Sequence, residues 1–522
     1  IYRQWSSGIR TQRDLIDRYR HAPRSERPAL LRLLRTNDLR LASDLVTGAI
    51  ETDESELASA STPERDLFGE EGRVDQLRCH DLQARIAETR AALERIEHGM
   101  LDFFSFDVHF AHVMAGGGFD VVAGNPPWVR NARIDRQSRR MYRDRYALFG
   151  RGPRSAGFHQ PDLSLAFFER AVGLADHDGV VAMLMPAKIA NATYAAPLRR
   201  FTQEQLSLID LIDWTGDPRR FFTADTFPLG VVARRGAAGT TSVTTGGTTF
   251  EVGQRDLCLT GNEWALVPPE IASTLRRIAA EHAPLVDALG RRPTMGVKTG
   301  DNQRFFVEGT IDGGHLVTKD GVRIPMFALC RCVRGRDLRR WTTMQSQWML
   351  WPPAARWKDA PEWMRHLRLA FVRPEHVGVK VAWKDVSRGM AAAVLPDIVH
   401  VDGHAVPLVP NQTLYSIDTV SLDEAYVIAA ILNSTIADAF FLATAERAKD
   451  DHYRYFGRTV GRLPMPRIAP DVAAWDKLVR VSRAAHRSGR TPEELDVIIA
   501  ELYGVEGLEP LRSFVERRLG AR

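Results

Sequence analysis

Cysteine is scarce, lysine is scarce beside arginine, and no apolar run is long enough to cross a bilayer. The four cysteines, at positions 79, 258, 330 and 332, form no CxxC pair and have no histidines at ligand spacing. That excludes a disulfide framework or a zinc module and fits a reducing cytoplasm; no metal site and no membrane partner are expected. Acidic residues do not dominate either. The formal charge is +5 and is carried mainly by arginine, the better fork for phosphate and base edges, which favours nucleic acid as partner. GC-rich codon usage enriches arginine as well, and at this point the two explanations weigh equally. No charged, apolar, small-residue leader opens the chain, and its first residue is Ile rather than Met, so a piece of a longer polypeptide is expected.

At 522 residues the chain exceeds what one core holds, and length alone suggests about three domains. Residues 1–100 are rich in Arg, Glu and Leu, and "LQARIAETRAALERIEH" repeats apolar residues at helical spacing. From Phe103 the character changes. Phe119–Ala123 reads as a buried strand, "DLSLAFFERAVGLA" (162–175) as an amphipathic helix, and "GVVAMLMP" (179–186) as a second buried strand closed by proline. "LSLIDLIDW" and "FPLGVVARR" are strand-like, and buried strands alternating with helices predict an open α/β sheet over 101–255. A less regular mixed α+β segment is expected over 256–470. Short β-like runs fill 294–415, followed by one helix, "LDEAYVIAAILNSTIADAFFLATA". The tail, 471–522, is helical again.

The stretch "FDVVAGNPPWVR" carries the chemistry. Two prolines cannot donate to a strand ladder and bias their neighbours away from helix, so the backbone is stiff where the strand ends. In an open α/β sheet, ligands sit outside the carboxyl ends of the strands. The Asn125 amide oxygen and the Pro126 carbonyl, whose direction Pro127 helps to fix, offer two convergent acceptors. These suit an exocyclic amino group, whose lone pair becomes more localised on nitrogen when both its protons are held. Trp128 offers a stacking face for the ring bearing that amine, and such a base must first leave the duplex.

The series resembles the gamma-type, amino-directed DNA methyltransferases, specifically the adenine-N6 enzymes of restriction-modification and phage-defence systems. "GGFDVVAGNPPW" is similar to their Asn/Asp-Pro-Pro-aromatic signature, and "PDLSLAFFERAVGLADHDGVVAMLMPAKI" resembles the following helix and strand, with Asp162 where an acidic residue is usual. "FFTADTFPLGVVAR" resembles the segment whose phenylalanine packs on the flipped base; spacing selects Phe222, with Phe221 as the alternative. Further on, "MGVKTGDNQRFFV", "RCVRGRDLRRW", "AAILNSTIADAFF" and "RLPMP" resemble a TaqI-like specificity domain.

The resemblance implies a Rossmann-like methyltransferase sheet in 101–255, a target-recognition domain in 256–470, S-adenosylmethionine as cofactor and double-stranded DNA as partner. It implies catalytic roles for Asn125, Pro126, Pro127 and Trp128, stacking on the target base by Trp128 and Phe222, and a place for Asn125 beside the transferred methyl. The reaction implied is an in-line displacement in which the amine attacks the sulfonium methyl while Asn125 and the Pro126 carbonyl accept hydrogen bonds from its protons; the leaving group departs neutral and the nitrogen sheds one proton afterwards. No strong base is needed.

One part of the family pattern is missing. The glycine-rich cofactor loop has no counterpart, since "MAGGGFDVV" precedes the catalytic strand and reads as a flexible turn. Residues 1–100 then resemble a helical insertion, with the loop and the first strand expected upstream of Ile1, and an upstream segment or a partner subunit of a defence system expected as partner. Asp107 is the candidate carboxylate near the cofactor. Lys298, Thr299, Asn302, Arg334 and Arg336 are candidate DNA contacts, and "RAKDDHYRYFGR" (447–458) interleaves basic and aromatic residues in a way that suits DNA. Two rival functions stand beside this one: a catalytically incomplete DNA-binding specificity component, and an RNA or protein amino-methyltransferase, against which the long specificity-like region speaks. No paired-acid-plus-lysine nuclease constellation is evident.

Overall fold

A computed structural model of the chain describes residues 5–62, 76–150, 161–215, 227–259, 261–344, 346–353, 356–448, 452–470 and 472–520. The chain divides into two compact units, residues 1–123 with 170–181, and residues 124–169 with 182–522.

The first unit holds the expected helices: α1 (Ser6–His21), α2 (Arg27–Ser61) and α3 (Gln76–Glu97). Pro28 opens α2 where its missing N–H costs nothing. Leu41, Ala42, Val46 and Ile50 form a buried stripe with Trp5, Ile96, Val108 and Ala111. Gln12 ties α1 to the segment that follows, donating to the Val108 carbonyl at 2.7 Å and accepting from the His112 amide at 3.2 Å.

Strand β1 (Phe119–Gly124) follows, beside β2 (Ala175–Pro186). The strand is where the sequence placed it, but it is not buried. It lies at a sheet edge, and Val121 is 61% exposed, because hydrophobicity marks a strand without saying how many neighbours cover it. The glycine turn before β1 is also not the flexible element expected. Gly117 and Gly118 have φ of 118° and 130°, and a Cβ on Gly118 would lie 2.6 Å from the Leu174 carbonyl oxygen. These glycines let two backbones approach closely.

In the second unit, the Ala182–Pro186 end of β2 continues into a sheet with β4 (Pro228–Arg235), β3 (Leu206–Asp213), β5 (Thr240–Thr245) and β6 (Thr248–Gly253), in the order β2-β4-β3-β5-β6. β3 pairs antiparallel with β4 and parallel with β5. The sheet is thus mixed rather than parallel. Gly246 and Gly247, at φ 57° and 78°, close the β5–β6 hairpin in the primed turn that strand twist favours. A bulge between Leu208 and Asp210 is satisfied by Gln254, which accepts from the Leu208 amide and donates to the Leu206 carbonyl.

Farther along lie β7 (Thr294–Met295), β8 (Phe306–Val307), β9 (Leu329–Val333), β10 (Gln347–Leu350), β11 (Lys380–Lys384), β12 (Ala392–Leu395), β13 (Ile398–Val401), β14 (His404–Pro410) and β15 (Leu414–Asp418). They form two sheets, β13-β14-β9-β10-β8 and β12-β11-β15-β7. The single helix expected over 422–445 is two, Leu422–Leu432 and Thr435–Thr444, bent by 61°. Asn433 exchanges two hydrogen bonds with the Ala392 backbone, and Ser434 caps the second helix through the Ala437 amide. The local caps outcompete the continuous apolar pattern. Both helices are buried among Trp383, Leu478, Ile499 and Phe514, and among the described residues no single helix is long and apolar enough to cross a membrane. Cys330 and Cys332 are buried in β9, and burial pushes the Cys332 thiol up to about 12, so neither is a nucleophile.

Lys380 is fully buried in β11, its ammonium donating to the Leu408 carbonyl at 2.9 Å. Burial pushes its pKa down to about 7, with Asp397 opposing. Between that value and its ordinary 10.5 the unfolded chain binds the extra proton, so stability rises with pH across the window. The melting temperature is expected to climb from pH 7 towards pH 10, and Lys380→Met to flatten the climb; equal slopes in both proteins contradict this assignment.

Candidate active site

Asn125 to Trp128 follow β1 directly. Asn125 is exposed, Pro126 buried and Pro127 exposed. Among the described residues the exposed Asn125 amide makes no hydrogen bond. The corner itself is pinned. The half-buried Trp128 donates its indole N–H to the Leu184 carbonyl at 3.1 Å, and the Leu163 amide bonds the Val129 carbonyl at 2.9 Å. On the strand side, a Cβ on Gly124 would sit 3.3 Å from the Met183 sulfur, so this glycine faces β2 closely.

Asp162 pairs with Arg130 across a β-bridge and is 6% exposed, its carboxylate accepting from the Ser164 amide at 3.0 Å. Burial raises its pKa, while Ser164, Arg130 and Lys188 act against that. Burial lowers the Lys188 pKa and raises that of the Tyr194 hydroxyl, which also feels Asp162. Lys188 and Tyr194 were not singled out in the sequence; the only available signal was that Lys188 follows the proline closing β2. Among the described residues Asn131 Oδ1 and Ser164 Oγ are buried beside this bridge without hydrogen-bond partners.

A second polar cluster lies at the end of β3. Asp213 is 6% exposed; it pairs with Arg447 at 3.1 Å and accepts from the Thr215 amide, the Thr215 hydroxyl and the Thr245 hydroxyl. Burial favours its protonated form, yet Arg447, Thr215 and Arg518 together hold its pKa below the usual carboxylate value. Asp213, Arg447, Asn191 and Trp264 line a cavity of about 30 Å³, into whose walls Trp264 Nε1 and Asn191 Oδ1, without hydrogen-bond partners among the described residues, are built. Such a volume suits one or two waters and is far too small for a base. Arg447 therefore points inward, correcting the expectation that it faces DNA. Farther along that stretch, Arg454 pairs with Asp385 at 3.5 Å and Arg458 with Glu446. Phe221 and Phe222 lie outside the described residues.

In the first unit, Asp107 pairs with Arg170 at 3.9 Å, and that guanidinium lies over the Phe106 ring. Among the candidate DNA contacts, Lys298 and Asn302 are exposed, whereas Thr299 is 3% exposed and spends its hydroxyl on the Asn302 amide oxygen at 2.6 Å. Thr299 thus positions Asn302. Arg334 and Arg336 both reach Asp337, at 2.9 and 3.9 Å. The two loops emerge side by side: Val297 bonds Pro410 and Gln412, while Val333 and Gly335 bond Asn411 and Thr413. Strand pairing thus brings together residues that the sequence separates.

Residues 47–221 match the Eco57I restriction-modification methylase family. The Type II methyltransferase M.PaeR7I of Pseudomonas aeruginosa is 24% identical over 212 residues, 36% of this chain and 35% of that protein. M.XhoI of Xanthomonas vasicola, another Type II methyltransferase, is 26% identical over 117 residues, 22% of this chain and 20% of its own length. These matches thus span about a third of the relatives' length or less. In fold, the chain is similar to the Type IIL restriction-modification enzyme MmeI solved in complex with DNA, with a TM-score of 0.50 at 12% identity, over 76% of this chain and 56% of that one.

Proposed function

We propose that the chain binds DNA and presents the exocyclic amine of an everted adenine for N6 methylation, as part of a restriction-modification or phage-defence methyltransferase with S-adenosylmethionine as donor. The observation that carries this reading is the Asn125 amide, exposed and without a partner among the described residues, on a corner that Trp128 and Val129 fasten in place. A side chain whose amide oxygen is free to accept on a rigid support is pre-organised to take hydrogen bonds from a substrate. Asn125 Oδ1 and the Pro126 carbonyl each accept a hydrogen bond from the amine, whose nitrogen sheds one proton to solvent once methylated, and Trp128 and Phe222 hold the ring. Residues 101–255 act as a Rossmann-like methyltransferase part, 256–470 as the target-recognition part with Lys298, Asn302, Arg334 and Arg336 at its DNA face and the buried Thr299 positioning Asn302, and 1–100 and 471–522 as helical flanks. The matches to methyltransferases and the fold similarity to an enzyme solved with DNA support the assignment.

The residues present fit the acceptor half of the reaction better than the donor half. Gly117 and Gly118 are packed against Asp176 and Leu174 and leave no open cradle of backbone N–H groups, and Asp107 is engaged with Arg170. No step is therefore derived through the donor. That packing favours a second reading, a DNA-binding specificity component that relies on another segment or subunit for the cofactor.

The test is to incubate the protein with unmethylated plasmid and tritiated S-adenosylmethionine, then to analyse the nucleosides by mass spectrometry. N6-methyladenine is the expected product. Duplex binding without methylation selects the second reading; methyl groups on cytosine, or no affinity for DNA, contradict the first.

A further inference from the structure

Beyond the turn lies a feature neither the resemblance nor the matches assign. Residues 130–145, "RNARIDRQSRRMYRDR", carry seven arginines and two aspartates, a net of five positive charges, equal to the formal charge of the whole chain. The rest of the molecule is neutral on balance. The segment is organised around helix α4 (Arg136–Arg145), which buries none of its residues. Asp135 caps it by accepting from the Ser138 amide at 2.9 Å, and Arg139 turns back to the Ile134 carbonyl at 2.6 Å. Tyr142 holds it edge-on against the buried Phe149, in a small cluster with Ile134, Leu163 and Val129. Leu163 is the residue whose amide fastens Val129, so the helix and the catalytic corner share one support.

Arg133, Arg136, Arg140 and Arg143 are exposed, and the last three fall at i, i+4 and i+7, on one face. Arg140 also meets Asp144 at 3.9 Å. Like charges at these spacings destabilise an isolated helix, and a polyanion relieves the repulsion. A ten-residue helix is about 15 Å long, enough to follow several phosphates of one strand at roughly 3.4 Å of axis per nucleotide. A membrane surface fits poorly, because an interfacial helix needs a broad apolar face, and here Met141 and Tyr142 are the only large apolar side chains between Arg136 and Arg145.

We infer that α4 is a phosphate clamp that holds the DNA backbone next to the everted base at the Asn125 corner. The inference rests on the DNA-directed reading above. Arginine forks on consecutive phosphates fix the strand's position without reading sequence, which leaves specificity to the distant loops.

The test is anisotropy of a labelled non-specific duplex titrated with protein at several salt concentrations. Arg133→Gln/Arg136→Gln/Arg143→Gln is expected to reduce the slope of log affinity against log salt by about 2 to 3, at roughly 0.9 per lost phosphate contact, and to weaken all sequences alike. Its melting temperature without DNA should stay level or rise; a fall marks a structural role and overturns the assignment. Arg24→Gln/Arg32→Gln/Arg35→Gln, which removes the same charge from exposed positions on the first unit, should leave the slope unchanged; an equal reduction there means general attraction rather than a clamp. Wild-type protein that binds no duplex overturns the DNA-directed reading itself. A steep wild-type slope that survives the α4 substitutions overturns only the clamp. Loss of binding to phosphatidylserine vesicles with duplex affinity intact overturns it in favour of a membrane surface.

Discussion

Asn125→Ala is expected to lower methyl transfer by roughly 10²- to 10³-fold, the range seen when one pre-organised hydrogen-bonding group is removed from an active site. An amine conjugated into an aromatic ring is a poor nucleophile, and the acceptor that holds its proton acts most strongly as positive charge develops on nitrogen. Alanine keeps the backbone and the Pro126 carbonyl but deletes the second acceptor. Because the side chain is exposed and makes no hydrogen bond among the described residues, stability should change by less than about 0.5 kcal/mol. Duplex affinity should hold within a factor of two or so of wild type. Asn125→Asp, which keeps an acceptor oxygen at the same place, should recover part of the rate. Equal turnover by wild type and Asn125→Ala in a tritiated-methyl assay removes Asn125 from the chemistry.

The largest stability effect is expected from Asp213→Ala, at about 3–5 kcal/mol in urea unfolding at neutral pH. The loss exceeds that of a surface ion pair because Asp213 is buried and answers several groups at once: Arg447, the Thr215 amide and hydroxyl, and the Thr245 hydroxyl that Arg518 also bonds. Removing the carboxylate leaves Arg447 and Arg518 in a poorly solvated place without their counter-charge. The sign of the pH dependence follows from its lowered pKa. The contribution is complete above the ordinary carboxylate value of 3.8 and fades as pH falls through the lower folded value, so wild type and variant should converge in acid. A constant gap between them down to pH 2 assigns the effect to packing instead.

Element type was legible where pattern and length agreed. The helices of residues 1–100, the strand after Gly179 and the paired strands over 206–235 announce themselves by period and by β-branched content. Burial and continuity were less legible. The run Phe119–Ala123 is apolar enough for a core strand yet lies at a sheet edge, because neighbours in a sheet are chosen by topology that one strand's sequence does not encode. The bend at Asn433 depends on two hydrogen bonds to Ala392, some forty residues away in sequence, and no local window contains them. Of the candidate site, the stiffness of the corner at 125–128 was legible from residue types, since two prolines restrict the backbone where the strand ends. Asp213, Lys188 and Tyr194 were not, because an acid, a lysine and a tyrosine acquire meaning only from the partners that folding gives them. The basic run after Trp128 acquires meaning only from its anchoring beside the corner through Tyr142 and Leu163.

The central claim concerns one pair of distances. A structure of the protein bound to a duplex containing its target site, with the demethylated product of the cofactor present, measures them directly. The account predicts the target adenine out of the helix, its N6 at about 3 Å from both Asn125 Oδ1 and the Pro126 carbonyl oxygen. An adenine that stays stacked in the duplex, or one everted into another pocket with Asn125 facing solvent, contradicts it.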